Sequence, residues 1–383
     1  MDYYLINAIN YRRSFEADAQ SFMLDPAPAT VIITPFPDKP EDKAIYLASL
    51  QKIVSGRKYK TSILIWNVEP IFLNDILRTI EGNPNIIGLE VAGWFEDEHV
   101  ALIAELLTEP QCAIAKLRLA FKEELNFLPL AQALQKNKSI SQLSFEFLSG
   151  LLYPADLQWL SCIFKVMAGN PLDEAEGFES VIANNSVQAL ELVGFSEISK
   201  AAEHHLNSML EKNQTLTHFR WAGTKPELFT KMKNSLSQSK QLSVLSLEGC
   251  VMSSDELANI AHFLPSNLGV LNLSHLADLA HTSKAYREAF VIGLINLINE
   301  CKAKRLELQI IFHNNDLKCA IEKYRDDLRQ LINRESKVYL TTKEMKELVW
   351  AHQNQCLTFF NIVSAAKLKA DERLESQYKH GVV

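Results

Sequence analysis

Apolar residues recur along this chain at one spacing: apolar, two variable positions, apolar, one variable, apolar. The clearest copies are Leu242, Leu245, Leu247 and then Leu268, Leu271, Leu273, which start 26 residues apart. The same template fits Leu216, Phe219, Trp221; Val187, Leu190, Leu192; Ile140, Leu143, Phe145; Ile114, Leu117, Leu119; and Ile86, Leu89, Val91. Starts lie 26–29 residues apart except for one interval of 47, between Ile140 and Val187. Weaker copies flank the run at Val31 and Ile33, Ile63 and Ile65, and Leu306 and Leu308. Alternation over so few residues predicts a strand, whereas the stretches between carry helical periodicity. In SSDELANIAHFL, Ser253 and Glu256 fit a capping box, and Leu257, Ile260, Ala261 and Leu264 form one stripe. EHVALIAELL, SKAAEHHLNSML and PELFTKMKNSL read the same way. Strand-turn-helix units in tandem must place their strands side by side in a parallel sheet, because each crossover is a helix.

The pattern, clearest in L-S-V-L-S-L-E-G-C from Leu242 to Cys250, resembles leucine-rich repeats of the ribonuclease-inhibitor type over roughly residues 31–311. The resemblance implies an α/β solenoid with a curved parallel sheet on its concave side and helices on its convex side. The chain departs from that family at the ninth template position, usually Asn or Cys. Val68, Trp94, Lys122, Leu148, Phe195, Thr224, Leu276 and Ile311 stand there, and only Cys250 conforms, so irregular turns are expected. Residues 1–30 are expected to form an N-terminal helical cap, and residues 312–383 a C-terminal helical cap and tail, the second helix opening at a capping box of Thr341 and Glu344. The long interval predicts an insertion near 149–186, either a surface addition that shapes a binding site, with the acidic run Asp173, Glu174, Glu176 and Glu179, or a degenerate repeat lacking a strand. Irregular units, a Lys-, Asn- and Gln-rich texture and the polar ending KLKADERLESQYKHGVV are similar to type IV secreted effectors of intracellular bacterial pathogens.

Because side chains alternate along a strand, the columns facing away from the core can be read directly. One column runs Leu64, Glu90, Arg118, Ser144, Glu191, Arg220, Ser246, Asn272 and Glu307. The next runs Trp66, Ala92, Ala120, Glu146, Val193, Ala222, Glu248, Ser274 and Gln309. Mixed charges among small residues suit a protein partner better than a polyanion or a lipid. The candidate contact residues are Trp66, Glu90, Arg118, Glu146, Glu191, Arg220, Glu248 and Asn272. Sliding the strand of Ile63 and Ile65 by one residue would instead bury Leu64 and Trp66 and expose Ile63 and Ile65.

Composition narrows the picture further. A net charge of −7 over 383 residues is too slight to imply an anion-binding surface, and nucleic acid is not an expected partner. Six dispersed cysteines, with no C-x-x-C pair, read as reduced thiols of a cytosolic setting. No apolar run suits a signal peptide or a membrane span, so a cytoplasmic protein is expected, or one secreted into a host cell without an N-terminal signal. Phosphate-loop, dinucleotide, G-x-S-x-G and H-E-x-x-H signatures are absent, and no cysteine stands in a C-x-D motif. The expectation is a monomeric protein-interaction module with no cofactor, metal or catalytic residue. The alternatives are an enzyme with its site in the insertion or the C-terminal helices, and a scaffold that assembles through its ends.

Overall fold

In the computed structural model of the chain, the described residues are 3–6, 29–33, 40–56, 58–148, 157–169, 186–195, 198–222, 228–248, 250, 252–273, 284–304, 308–312 and 338–342. Twelve strands form one parallel sheet whose spatial order is the order of the chain. They are β1 Tyr3–Ile6, β2 Ala29–Ile33, β3 Thr61–Trp66, β4 Ile86–Ala92, β5 Lys116–Phe121, β6 Gln142–Phe147, β7 Ala189–Val193, β8 His218–Ala222, β9 Val244–Ser246, β10 Val270–Asn272, β11 Leu308–Phe312 and β12 Val338–Thr342. Nine helices are described: α1 Pro40–Gly56, α2 Pro70–Ile80, α3 Asp97–Thr108, α4 Leu128–Lys136, α5 Ser161–Ala168, α6 Lys200–Lys212, α7 Leu228–Gln238, α8 Ser254–Ala258 and α9 Lys284–Lys304. None of the described helices is long and apolar enough to cross a membrane.

The apolar template is the core. Leu89, Leu117, Leu143, Leu190, Phe219, Leu245 and Leu271 stand opposite one another in successive strands. Every residue of the apolar triplets from Ile86 to Leu273 is buried, in one cluster with the inward faces of the helices. Sidedness is set by the leucines because a slip of one residue would turn the whole apolar set outward. The capping box at Ser253 forms as expected, Ser253 Oγ accepting from the Glu256 N–H at 3.2 Å and the Ser253 N–H donating to Glu256 Oε2 at 3.0 Å. An aromatic block fills the middle of the stack, with Phe121 5.2 Å from Phe127, 6.0 Å from Phe147 and 6.2 Å from Phe195 between ring centres.

Three expectations about the ends change. The sheet runs into both segments assigned to caps, since β1 pairs with β2 and β12 with β11. Thr341 lies in a strand opposite Ile311 rather than capping a helix; VYLTT is β-branched and aromatic, a composition that fits a pleated strand. Residues 7–28, 313–337 and 343–383, with the helices and tail expected there, lie outside the described residues. In β11 it is Ile310, not Leu306, that faces Leu271. Leu306, Leu308 and Ile310 share one parity, so alternation fixes their face without fixing their register. The long interval places no strand between β6 and β7, which are direct neighbours from Gln142↔Ala189 to Glu146↔Val193. It contributes a 3-10 turn, Leu157–Leu160, and α5, while 149–156 and the acidic run at 173–179 lie outside the described residues.

Where three of the helices end, an asparagine ties its unit to the one before. Asn137 Nδ2 donates to Leu107 O at 2.8 Å, while its Oδ1 accepts from the Ser139 and Ile140 N–H groups at 2.9 and 2.8 Å. Asn213 repeats the device on Met167 O, Thr215 N–H and Leu216 N–H, and Asn83 repeats part of it on Val54 O and Asn85 N–H. Each of the three asparagines precedes the first core residue of its unit by three positions: Ile86, Ile140 and Leu216. Asn137→Ala is expected to cost about 2 kcal/mol in chemical denaturation, since it strands buried backbone groups on both sides of the joint.

Candidate functional site: the polar sheet face and the strand-exit rim

The face of the sheet turned away from the core carries the polar column, in the register the sequence implies. Leu64, Glu90, Arg118, Ser144, Glu191, Arg220, Ser246 and Asn272 follow one another across β3–β10. Neighbouring strands are about 4.8 Å apart, so charges in such a column lie within reach of each other. Arg118 Nη1 is 2.9 Å from Glu90 Oε1, and Arg118 Nη2 pairs with Glu146 on the following strand. Burial opposes its charge, but Glu90 and Glu146 together hold the guanidinium above its usual range. Three strands on, the arrangement recurs. Arg220 pairs through Nη1 with Glu191 and through Nη2 with Glu248 Oε2 at 3.0 Å. Ser144 Oγ joins the two groups by donating to Glu191 Oε2 at 3.0 Å, and Asn272 Nδ2 continues the line to Ser246 Oγ at 2.9 Å.

The expectation that this column stands exposed therefore needs correction. Glu90, Arg118, Glu191 and Asn272 are buried, Arg118 at 3% exposure, and their charges and amide are engaged within the sheet. In the ion-pair groups the side chains of Glu146 and Glu248, at 17%, and of Arg220, the centre of the second group, at 18%, remain partly accessible. The physical reason is lateral. Alternation says which face a residue takes, but the residue at the same height on each neighbouring strand decides whether it meets water. Trp66 keeps the expected outward register, opposite Ala92, and is partly exposed, while Ile63 and Ile65 are fully buried, so the alternative slip does not occur.

Large apolar side chains reach solvent instead on the rim where strands leave the sheet and helices begin. Ile71, in the first turn of α2, is 75% exposed, and Trp94, between β4 and α3, is 63% exposed. Leu128, the first residue of α4, is also exposed. The loop under Trp94 is pinned from both sides. Gly93 takes φ +112° and donates its N–H to Ala120 O at 2.9 Å, and the Trp94 N–H donates to Asn67 Oδ1 at 3.0 Å. Asn67 itself is left-handed, at φ +50°. A Cβ on Gly93 would fall 1.8 Å from Asn67 Oδ1, so only glycine leaves this amide its seat. His99, buried, fastens the start of α3: its Nδ1 accepts from the Glu96 N–H at 3.0 Å, leaving Nε2–H to donate to Val68 O at 2.7 Å. From the next loop Lys122 places its ammonium 5.4 Å from the Trp94 ring centre. Asp97 Oδ1 accepts from the Asn126 N–H at 2.7 Å, joining the two loops.

Beside this rim lies an open cleft of about 670 Å³, lined by Asp97, Glu124 to Leu128, Trp159, Ser161, Cys162, Lys165, Ala201 and His205. Burial pushes the Cys162 thiol up to about 11, which favours its protonated form at neutral pH. The cleft mixes carboxylates, one lysine, an imidazole and an aromatic face, a lining that can receive a side chain of a partner.

Two of these features were written in the sequence. The polar column runs acid, base and hydroxyl, Glu90-Arg118-Ser144 and again Glu191-Arg220-Ser246, an order legible in the sequence, while the ion pairs emerge only once the strands lie side by side. Asn67 stands one place before the ninth template position and performs its turn role for the following unit, so the turn is ordered although Val68 departs from the pattern. The exposure of Trp94 had no such signal, because a tryptophan at a usually buried turn position reads as core. In comparisons with known proteins, no family model and no curated protein matches the chain.

Proposed function

We propose that the chain is a leucine-rich-repeat solenoid that works as a protein-interaction module, docking its partner on the strand-exit rim of β3–β6. The repeat reading is supported by parallel strands that follow chain order, most of the apolar triplets starting 26–29 residues apart, and by Cys250. The thiol of Cys250, at the ninth template position, reaches Trp221 O of the preceding unit at 3.7 Å, tying successive turns together. The observation that carries the docking reading is Trp94. A large aromatic side chain held on a backbone fixed by Asn67 and Gly93, yet 63% exposed, is an anchor already ordered before binding. The polar face of the sheet serves the stack, and its partly accessible edge, Glu146, Arg220, Glu248 and Trp66, supplies secondary contacts. The setting we infer, a bacterial effector that engages a host protein, rests on the resemblance in the sequence.

Trp94→Ala with Ile71→Ser should leave unfolding within about 0.5 kcal/mol of the parent, because both side chains lie in solvent. In quantitative affinity capture from eukaryotic lysate, at least one specific partner should drop tenfold or more with this variant. If every specifically captured protein persists, docking does not occur on this rim.

A further inference from the structure

We infer that the rim takes a basic amphipathic protein segment, one that sets an apolar side chain against Trp94 and Ile71 and presents lysines or arginines to the acids around them. This inference rests on the docking reading above and adds the chemistry of the partner. Along the same rim Glu69, Glu96, Asp97, Glu98, Glu123 and Glu124 are all exposed, against a single exposed cation, Lys122, in these three loops and helix starts. Glu69 and Glu96 cap α2 and α3, and Asp97 and Glu98 occupy the first turn of α3, where the helix dipole favours all four, but Glu123 and Glu124 lie outside the helices and have no such account. The acids therefore surround exposed apolar groups, the arrangement that electrostatic complementarity reads as a site for a cationic partner.

The chemistry of Trp94 points the same way. Its ring already receives the Lys122 ammonium at 5.4 Å, which shows a π face oriented to accept a cation. A partner arginine stacking on the rest of the exposed ring would extend that contact, with Glu98 and Glu123 as its counter-ions. An acidic segment would meet six carboxylates, and a purely apolar one would leave them facing a dry surface.

The test is selection of a random-peptide display library on the immobilised full chain. Affinities of the enriched consensus peptide are then measured by fluorescence anisotropy for the parent, for Trp94→Ala with Ile71→Ser, and for Glu98→Lys with Glu123→Lys. The expected consensus alternates basic and apolar residues at helical or strand spacing. It should bind at least tenfold more weakly to each variant and lose affinity steeply as salt rises. Enrichment of acidic or uncharged peptides that still need Trp94 would overturn the partner chemistry while leaving the rim as the docking site. Peptides that bind the Trp94→Ala, Ile71→Ser variant as well as the parent, or no enrichment at all, would overturn both.

Discussion

Replacing Arg118 with alanine lowers the unfolding free energy by about 3–5 kcal/mol, the scale for removing one partner of a buried ion pair. The size follows from what is left behind. Glu90 and Glu146 approach the guanidinium from strands on either side, and without it two carboxylates share a face from which Glu90 is almost fully shielded. Equilibrium unfolding in urea is the measurement. Lowering the pH should narrow the gap between variant and parent, because a proton taken up by a carboxylate in the variant relieves the repulsion. The parent gains nothing equivalent, since acid removes charges that are favourably paired. A loss below about 1 kcal/mol, with no dependence on pH, would mean that water screens this column as it screens a surface pair.

Leu245→Asp removes about 2–5 kcal/mol of apolar burial and adds the cost of a carboxylate placed among hydrocarbon. Leu245 is fully buried, and its neighbours in register are Phe219 and Leu271. In a stack where each unit leans on the next, the damage should spread along the sheet and fade with distance. Hydrogen exchange should show protection lost from β8 to β10 and kept in β3 to β5. Equal loss everywhere would show that the sheet opens as one cooperative body.

What the sequence discloses divides along a physical line. Spacing along the chain reports local periodicity, so the positions facing the core were legible, down to Trp221 and Phe219 as members of the apolar set. The direction of Trp66 was legible for the same reason. Adjacency between strands is set by offsets of 26 to 47 residues, and burial on the polar face depends on it. Glu90 and Arg118 look like isolated surface charges until their strands are laid side by side. At the ends, propensity and periodicity conflict. VYLTT joined the sheet because an open edge of unpaired backbone groups accepts a β-branched segment more readily than a helix start does. Trp94 was hidden by the opposite error, since a template position that is usually interior gave no hint that glycine and Asn67 would lift the ring clear.

The run of acid, base and hydroxyl occurs twice, in β4–β6 and again in β7–β9, and this gives the two triplets rules of exchange. Leu117-Arg118-Leu119-Ala120 could trade places with Phe219-Arg220-Trp221-Ala222 and still find a glutamate on each flank. Moving either one strand over would set an arginine where a glutamate or a serine is answered, and break two pairings at once. A variant that lost β4–β6 or β7–β9 as a block of three would keep the remaining arginine between its two glutamates.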